Sequence, residues 1–366
     1  MAHIDAHADV IDLLRALVDT PSVSGDEAAL ANAIERELRA CDWLDVTRYA
    51  NSVVARTHLG HAKRVIVAGH IDTVPVAAND TAVLVPAGGV LPTGESVADD
   101  VLFGLGSCDM KGGVAVALHA AVTVTQPVND VTFIFYECEE VDSSRNGLTL
   151  LAAAHPELLA ADVAVLLEPS NAAIEAGCQG TLVARVSVRG VRAHSARSWR
   201  GHNAVHALLP ALQTLADYEP RRVMVDNLEY REGLNAVRVG GGVANNVIPD
   251  VAELTVNYRY APTTTAADAA DHVRGLFPGY DVDILDNTAG AMPGRERLAD
   301  LVELCGGQVA PKFGWTDVAR FSAMGVPAVN MGPGDPSLAH SASEHVPVAQ
   351  VTACRDTVVS WLQGRS

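Results

Sequence analysis

No stretch of this chain approaches the run of about 20 apolar residues that a membrane-crossing helix requires, so no helical span is expected. The amino terminus, MAHIDAHADVIDLLRALVDTPSVSGDE, scatters charged residues and histidine through its first apolar stretch, which fits neither a secretory leader nor an anchor. Cysteine is sparse and dispersed. Cys41, Cys108, Cys138, Cys178, Cys305 and Cys354 form no Cys-x-x-Cys pair, and they are expected to be reduced thiols of a cytoplasmic protein. Cations are also in short supply: Lys+Arg 26 stand against Asp+Glu 44, a formal net charge of −18. Such a field repels phosphate backbones and anionic lipid surfaces, so neither nucleic acid nor a membrane is an expected partner. A small anionic substrate would need a local cluster of cations, from side chains or bound metal. Internal repeats and low-complexity tracts are missing, as are the Gly-x-Ser-x-Gly nucleophile elbow and the His-Glu-x-x-His zinc motif.

What is present is the composition of a globular protein. Hydrophobic residues make up 49% and charged residues 19% of 366 residues, with a mean hydropathy of +0.16. That length suffices for one large or two ordinary domains with a sizeable core. Ile11, Leu14, Leu17 and Val18 fit a helical period over Val10 to Val18, closed by Pro21. Ser24 and Glu27 have the spacing of a capping box before a second helix, Ala28 to Arg39. Apolar strands then alternate with helices: strand Arg64 to Ala68, helix Lys111 to Val124, strand Val131 to Tyr136, helix Leu148 to Ala154, strand Val163 to Leu167. This texture predicts an α/β fold, a mainly parallel mixed sheet with helices on both faces.

After Cys178 the pattern changes. Thr181 to Val188 and Glu253 to Tyr260 alternate with period two, helices are predicted over His202 to Tyr218 and Ala266 to Phe277, and Tyr280 to Leu285 is a last strand. The order is that of a ferredoxin-like α+β unit. Pro293 opens a helix through Leu304, and Pro327 to Met331 is again an apolar strand. The expected organisation is a discontinuous domain, 1–177 and 292–366, with an inserted α+β domain, 178–291.

Four polar sites share one placement. His70 and Asp72 follow the first core strand in GHIDTVP; Glu139 and Glu140 follow the second; Glu168 ends the third; His340 follows the last. All fall at carboxyl ends of parallel strands, the edge where open α/β sheets bind ligands. His70 and Asp72 project to one side of an extended segment, as in a metal-bound imidazole with its carboxylate support or a plain hydrogen-bonded turn. Asp109, in GLGSCDMKGG before the Lys111 helix, is either an N-cap or a carboxylate whose two oxygens bridge two cations. The glycines do not make a phosphate loop, because no strand leads into them and no Gly-Lys-Ser/Thr follows. Adjacent Glu139 and Glu140 point in different directions and can serve two roles, one coordinating a cation and one holding a proton of water. The ligand types suit Zn²⁺, Co²⁺ or Mn²⁺. Arg189, Arg192, Arg197 and Arg200 form a cationic exception in an acidic chain, a solvated strand end or a rim for an anionic substrate.

GHIDTVP, GLGSCDMKGG, Glu139-Glu140, LLEPS and the late His340 together resemble the five signature segments of the M20 metallopeptidase and deacylase family, over nearly the whole chain. Within that family, RAHSARSWRGHNAVHAL and GGVANNVIPD are closest to the desuccinylase branch. The resemblance implies two Zn²⁺ ions, with Co²⁺ or Mn²⁺ as substitutes: one held by His70, Asp109 and Glu168, the other by Asp109, Glu140 and His340. It further implies that Asp72 supports His70 and that Glu139 is the general base. The inserted domain would make a homodimer, with His194 reaching a partner subunit's substrate and Asn246 and Arg259 binding substrate carboxylates. The implied reaction is hydrolysis of a small anionic N-acyl amino acid, N-succinyl-LL-2,6-diaminopimelate, in lysine biosynthesis. Acetylornithine deacetylase, aminoacylase or dipeptidase chemistry on the same ligands, or a non-catalytic binding protein on the same scaffold, are the alternatives. Cys178-Gln179 stands where many relatives carry a basic residue, and His340-Ser341 departs from the wider family's His-Lys.

Overall fold

The protein is described by a computed structural model covering residues 4–365. It resolves into two compact units. The first runs to Ala176 and resumes over Gly294–Ala310 and from Arg320 onward; the second comprises Gly177–Pro293 and Pro311–Ala319. Residues 311–319, expected from the sequence to stay with the first domain, group with the second. There the Gln179 backbone N–H donates to the Lys312 carbonyl (3.3 Å) and the Trp315 indole N–H to the Ala289 carbonyl (3.2 Å).

In the first unit the helical period translates directly into packing. The Val10–Val18 helix buries Val10, Leu13, Leu14, Leu17 and Val18, and the Asp9 carboxylate accepts from the Ile11 N–H at its start. The Ala28–Arg39 helix also forms, but without the capping box: no side chain caps it. Ser24 Oγ instead donates to Asp72 Oδ2 (2.7 Å), and Glu27 Oε1 accepts from the backbone N–H groups of Gly25 (2.8 Å) and Cys138 (3.3 Å).

The sheet of this unit has eight strands in the order Asp45–Tyr49, Ser52–Arg56, Asp130–Tyr136, Arg64–His70, Val163–Pro169, Ala328–Gly332, Ile174–Ala176, Val309–Pro311. The central four are parallel, and Asp45–Tyr49, Ser52–Arg56 and Ile174–Ala176 add antiparallel flanks. Asp130–Tyr136 and Val163–Pro169 are buried along their whole length, which is why they read as continuous apolar runs. The Lys111–Thr123 helix lies against this sheet so closely that a Cβ on Gly113 would stand 2.1 Å from the Leu167 carbonyl oxygen. The Val10–Val18, Ala28–Arg39 and Val348–Leu362 helices pack on it in turn.

The second unit carries a four-stranded antiparallel sheet in the order Gly233–Gly241, Val251–Tyr260, Gly180–Arg189, Asp281–Thr288, the ferredoxin-like arrangement. Leu182, Ala184, Val186, Leu254, Val256 and Tyr258 bury one face with Ala269, Val273 and Phe277 of the Ala266–Leu276 helix. The helix expected over 202–218 is two short ones, Ala204–Ala207 and Leu209–Ala216, because Pro210 opens the second and cannot donate within a continuous helix. The Gly233–Gly241 strand was not legible: it is glycine-rich and mostly exposed, so no apolar alternation marks it.

Among the described residues no helix is long and apolar enough to cross a membrane. All six cysteines are free thiols, five of them buried.

Candidate metal centre

Parallel strands of the first unit deliver the site. Arg64–His70 ends on His70 itself, Val163–Pro169 holds Glu168 one residue from its end, and Glu139 and Glu140 follow Tyr136 within four residues. His340 sits in the loop after Ala328–Gly332, with φ of 63°. Asp109 precedes the Lys111–Thr123 helix, and the Asp109–Met110 peptide bond is cis.

The side chains converge on Asp109. Its Oδ1 lies 3.1 Å from His70 Nε2 and its Oδ2 lies 3.5 Å from His340 Nε2. His340 Nε2 is also 2.8 Å from Glu140 Oε1. Thus the two oxygens of one carboxylate face two different imidazoles. Ligand atoms of His70, Asp109 and Glu168 lie within 4.8 Å of one another, and so do those of Asp109, Glu140 and His340. A third such group is His70, Glu139 and Glu140, which places Glu139 beside both sets.

Asp72 organises the strand ends around them. The His70 Nδ1 faces the Asp72 backbone carbonyl at 3.0 Å and the Asp72 carboxylate at 3.5 Å. That pairing keeps a proton on Nδ1 and turns Nε2, the nitrogen a cation would take, toward Asp109. The same carboxylate accepts the backbone N–H groups of Glu139 (2.9 Å, on Oδ1) and Glu140 (3.1 Å, on Oδ2), and the Ser24 hydroxyl.

Electrostatics express a surplus of carboxylate oxygen. Burial disfavours a charged His70, which is 1% exposed, yet hydrogen bonds to Asp109 and Asp72 outweigh it and hold the imidazole well above its usual range. Hydrogen bonds to Asp109 and Glu140 raise His340 to about 10. Burial pushes Asp109 up, but hydrogen bonds with His340 and His70 carry it below the usual carboxylate range. Protons are therefore drawn to both imidazoles by oxygens that a divalent cation would share in their place. The donor set of imidazole nitrogens and carboxylate oxygens, buried at His70 and Glu168 and open at His340, fits Zn²⁺, Co²⁺ or Mn²⁺.

His194, Asn246 and Arg259 lie in the second unit. His194 and Asn246 are neighbours on a small exposed ribbon: His194 pairs with Val247, its Nδ1 accepts the Ala196 N–H (3.0 Å), and the Asn246 carbonyl accepts the Ser195 N–H (2.9 Å). Arg259 is half buried on the Val251–Tyr260 strand and donates from Nε to Asn257 Oδ1 (3.2 Å); burial lowers its pKa. The thiol of Cys178 is buried and raised to about 11, and the Gln179 amide donates to the Arg231 carbonyl (2.6 Å), so both side chains are engaged in the unit's own packing. In the arginine cluster, Arg192 is paired with Asp250 at 2.9 Å.

Two contributors escape a sequence reading. Ser24 and Glu27 have capping-box spacing but serve Asp72 and the Cys138 backbone. Glu344, in a loop of serines and alanines, is buried against the residues leading into Asp109. The one available signal was a lone carboxylate four residues after His340.

A model of peptidase family M20/M25/M40 matches residues 66–364. The chain is 50% identical over 366 residues to DapE of Mycobacterium tuberculosis H37Rv, covering 99% of this chain and 100% of that one. It is 46% identical over 362 residues, 95% of each chain, to the succinyl-diaminopimelate desuccinylase of Corynebacterium glutamicum. Among solved structures, the Bacillus subtilis YXEP protein, described as a dinuclear metal-binding peptidase of the M20 family, shares the fold with a TM-score of 0.70. Its identity is 16%, over 98% of this chain and 97% of that one.

Proposed function

We propose, from the premise that the chain belongs to peptidase family M20/M25/M40 and is a hydrolase, that it cleaves N-succinyl-LL-2,6-diaminopimelate to succinate and LL-diaminopimelate. In this reading it is a cytoplasmic homodimer in lysine biosynthesis. It works with two divalent cations, Zn²⁺ by preference, and Co²⁺ or Mn²⁺ as substitutes. The observation that carries the chemistry is the Asp109 carboxylate, one oxygen toward His70 and the other toward His340. The substrate assignment rests on the name and the extent of the Corynebacterium glutamicum relative.

His70, Asp109 and Glu168 would hold one cation; Asp109, Glu140 and His340 the other. When bound, such a pair supplies Lewis acidity, polarising an amide carbonyl and acidifying water. Glu139 is the base that takes the proton of the attacking water and hands it to the leaving amine. Its placement supports this role: its backbone is held by Asp72, and its carboxylate stands beside His70 and Glu140. Asp72 keeps the His70 tautomer and sets the course of the Glu139-Glu140 segment. His194 of the partner subunit donates to the oxygen on which negative charge develops. Asn246 and Arg259 bind substrate carboxylates. Cys178 and Gln179 bring no charge themselves, and Arg259 is a cation close to them.

The test is an amide-hydrolysis assay on succinyl-diaminopimelate and on acetylornithine, with and without chelator. Turnover of the succinyl substrate, abolished by chelation and restored by Zn²⁺, is the expected result. Faster turnover of the acetyl substrate would reassign the specificity, and activity indifferent to thorough chelation would remove the cations.

A further inference from the structure

Asp109 can hold two ions only if its carboxylate is fixed in one orientation, yet it sits in a loop that has little regular structure of its own. Gly104 and Gly106 both adopt positive φ (148° and 76°), and the six residues from Gly104 to Asp109 belong to neither strand nor helix. Something outside the loop must define its course.

Besides the Asn79 carbonyl, which accepts the Leu105 N–H (2.6 Å), Glu344 holds it. Its side chain is 1% exposed, and Oε1 accepts the backbone N–H groups of both Cys108 (3.0 Å) and Asp109 (2.9 Å). The Gly104 N–H in turn donates to the Glu344 backbone carbonyl (3.1 Å). One residue thereby grips the loop at its start and at its working end. The arrangement repeats what Asp72 does for Glu139 and Glu140, where a buried carboxylate also accepts two consecutive N–H groups. Glu344 lies four residues beyond His340, so the same short loop places one imidazole beside Asp109 and holds the backbone behind it. Burying a carboxyl this deeply costs free energy that an ordinary surface loop would avoid by exposing the group.

We propose that Glu344 is a positioning residue for the candidate metal centre: its carboxylate fixes the Cys108–Asp109 backbone so that the two Asp109 oxygens face His70 and His340. This rests on the reading of Asp109 as the ligand shared by both ions. Groups behind a metal ligand typically change affinity by about 10–100-fold when removed.

The experiment measures Zn²⁺ affinity by competition with a chromophoric chelator, together with the visible spectrum of the Co²⁺-loaded protein, in the full-length chain. Glu344→Ala is expected to weaken binding of both ions by about 10–100-fold and to alter the Co²⁺ bands, while circular dichroism and melting of the metal-free protein show it folded. Glu344→Gln, which keeps an acceptor oxygen for the two N–H groups, is expected to recover much of the loss. Wild-type affinity and spectrum in Glu344→Ala would overturn the proposal, as would a loss that Glu344→Gln does not relieve. Should Glu344→Ala fail to fold, Glu344→Asp carries the test: it keeps the charge but shortens the reach by one methylene, and wild-type affinity there would equally overturn it. Asp109→Asn is measured alongside. If that variant still holds both ions, the shared-ligand reading itself has failed, whatever Glu344 does.

Discussion

Glu139 and Glu140 are neighbours in the chain with different surroundings. Glu140 reaches His340 at 2.8 Å and groups with Asp109, whereas Glu139 groups with His70 and Glu140 and not with Asp109 or His340 themselves. The pair was legible because VTFIFY delivers it from a buried strand. Which of the two would bind and which would move a proton was not legible from spacing; only the direction of each side chain separates them. Glu139→Gln is therefore expected to keep both ions and lose at least about 10²-fold in turnover, the low end for removal of a general base. Glu140→Gln is expected to retain one ion in place of two. Elemental analysis alongside kcat checks both, and a Glu139→Gln enzyme with near-normal turnover would take Glu139 out of the chemistry. Ser24 and Glu27 illustrate the opposite case. A serine and a glutamate three apart before a helix have a local use that sequence suggests at once, and the tertiary use that prevails here involves Asp72 and Cys138, distant in the chain.

At the scale of elements, periodicity was a good guide wherever one face is buried. The Val10–Val18 and Ala28–Arg39 helices and the central parallel strands lie where their apolar patterns place them, because burial dictates both pattern and structure. It failed where burial is slight, as in Gly233–Gly241, and where Pro210 divides a helical stretch. The glycines of GLGSCDMKGG are a subtler case. They resemble a phosphate loop, but Gly112 and Gly113 are there for close approach: a Cβ on Gly113 would stand 2.1 Å from the Leu167 carbonyl oxygen and 2.7 Å from the Leu167 Cβ. The helix that follows Asp109 thus rests directly on the strand that carries Glu168, tying two ligands of one set through backbone contact. Gly113→Ala must move one against the other. It is expected to destabilise the metal-free protein by about 1–3 kcal/mol or more, measured by denaturant unfolding, and to weaken ion binding by separating Asp109 from Glu168. Gly275, near the end of the Ala266–Leu276 helix, has nothing within 4 Å of its would-be Cβ. Gly275→Ala is accordingly expected to be neutral or to stabilise by about 0.4–1 kcal/mol, and an equal penalty at both positions would refute the close-packing explanation.

The whole molecule poses the question of how an acidic chain handles an anionic substrate. The first unit contributes carboxylates and imidazoles around Asp109, a set that would suit such a substrate only with cations held among it. The Arg189, Arg192, Arg197 and Arg200 cluster and the His194–Asn246 ribbon belong to the second unit, where His194 and Asn246 are exposed. If the protein acts as a two-fold dimer in which His194 serves the partner subunit's site, then no site is complete within one chain, and two differently crippled chains should repair each other. His194→Ala and Glu139→Ala homodimers would each be inactive. In an equimolar mixture allowed to exchange subunits, half of the dimers are mixed, and in each of these one of the two sites pairs an intact Glu139 with an intact His194 of the partner subunit. The expected recovery is about a quarter of the wild-type rate, as two-fold symmetry requires. A His194 acting within its own chain gives no recovery at any mixing ratio, because every chain then carries its own defect. Different affinity tags on the two variants, recovered together on one dimer, check that exchange took place, and a well-exchanged mixture without activity would exclude the shared site while leaving the ligand set around Asp109 standing.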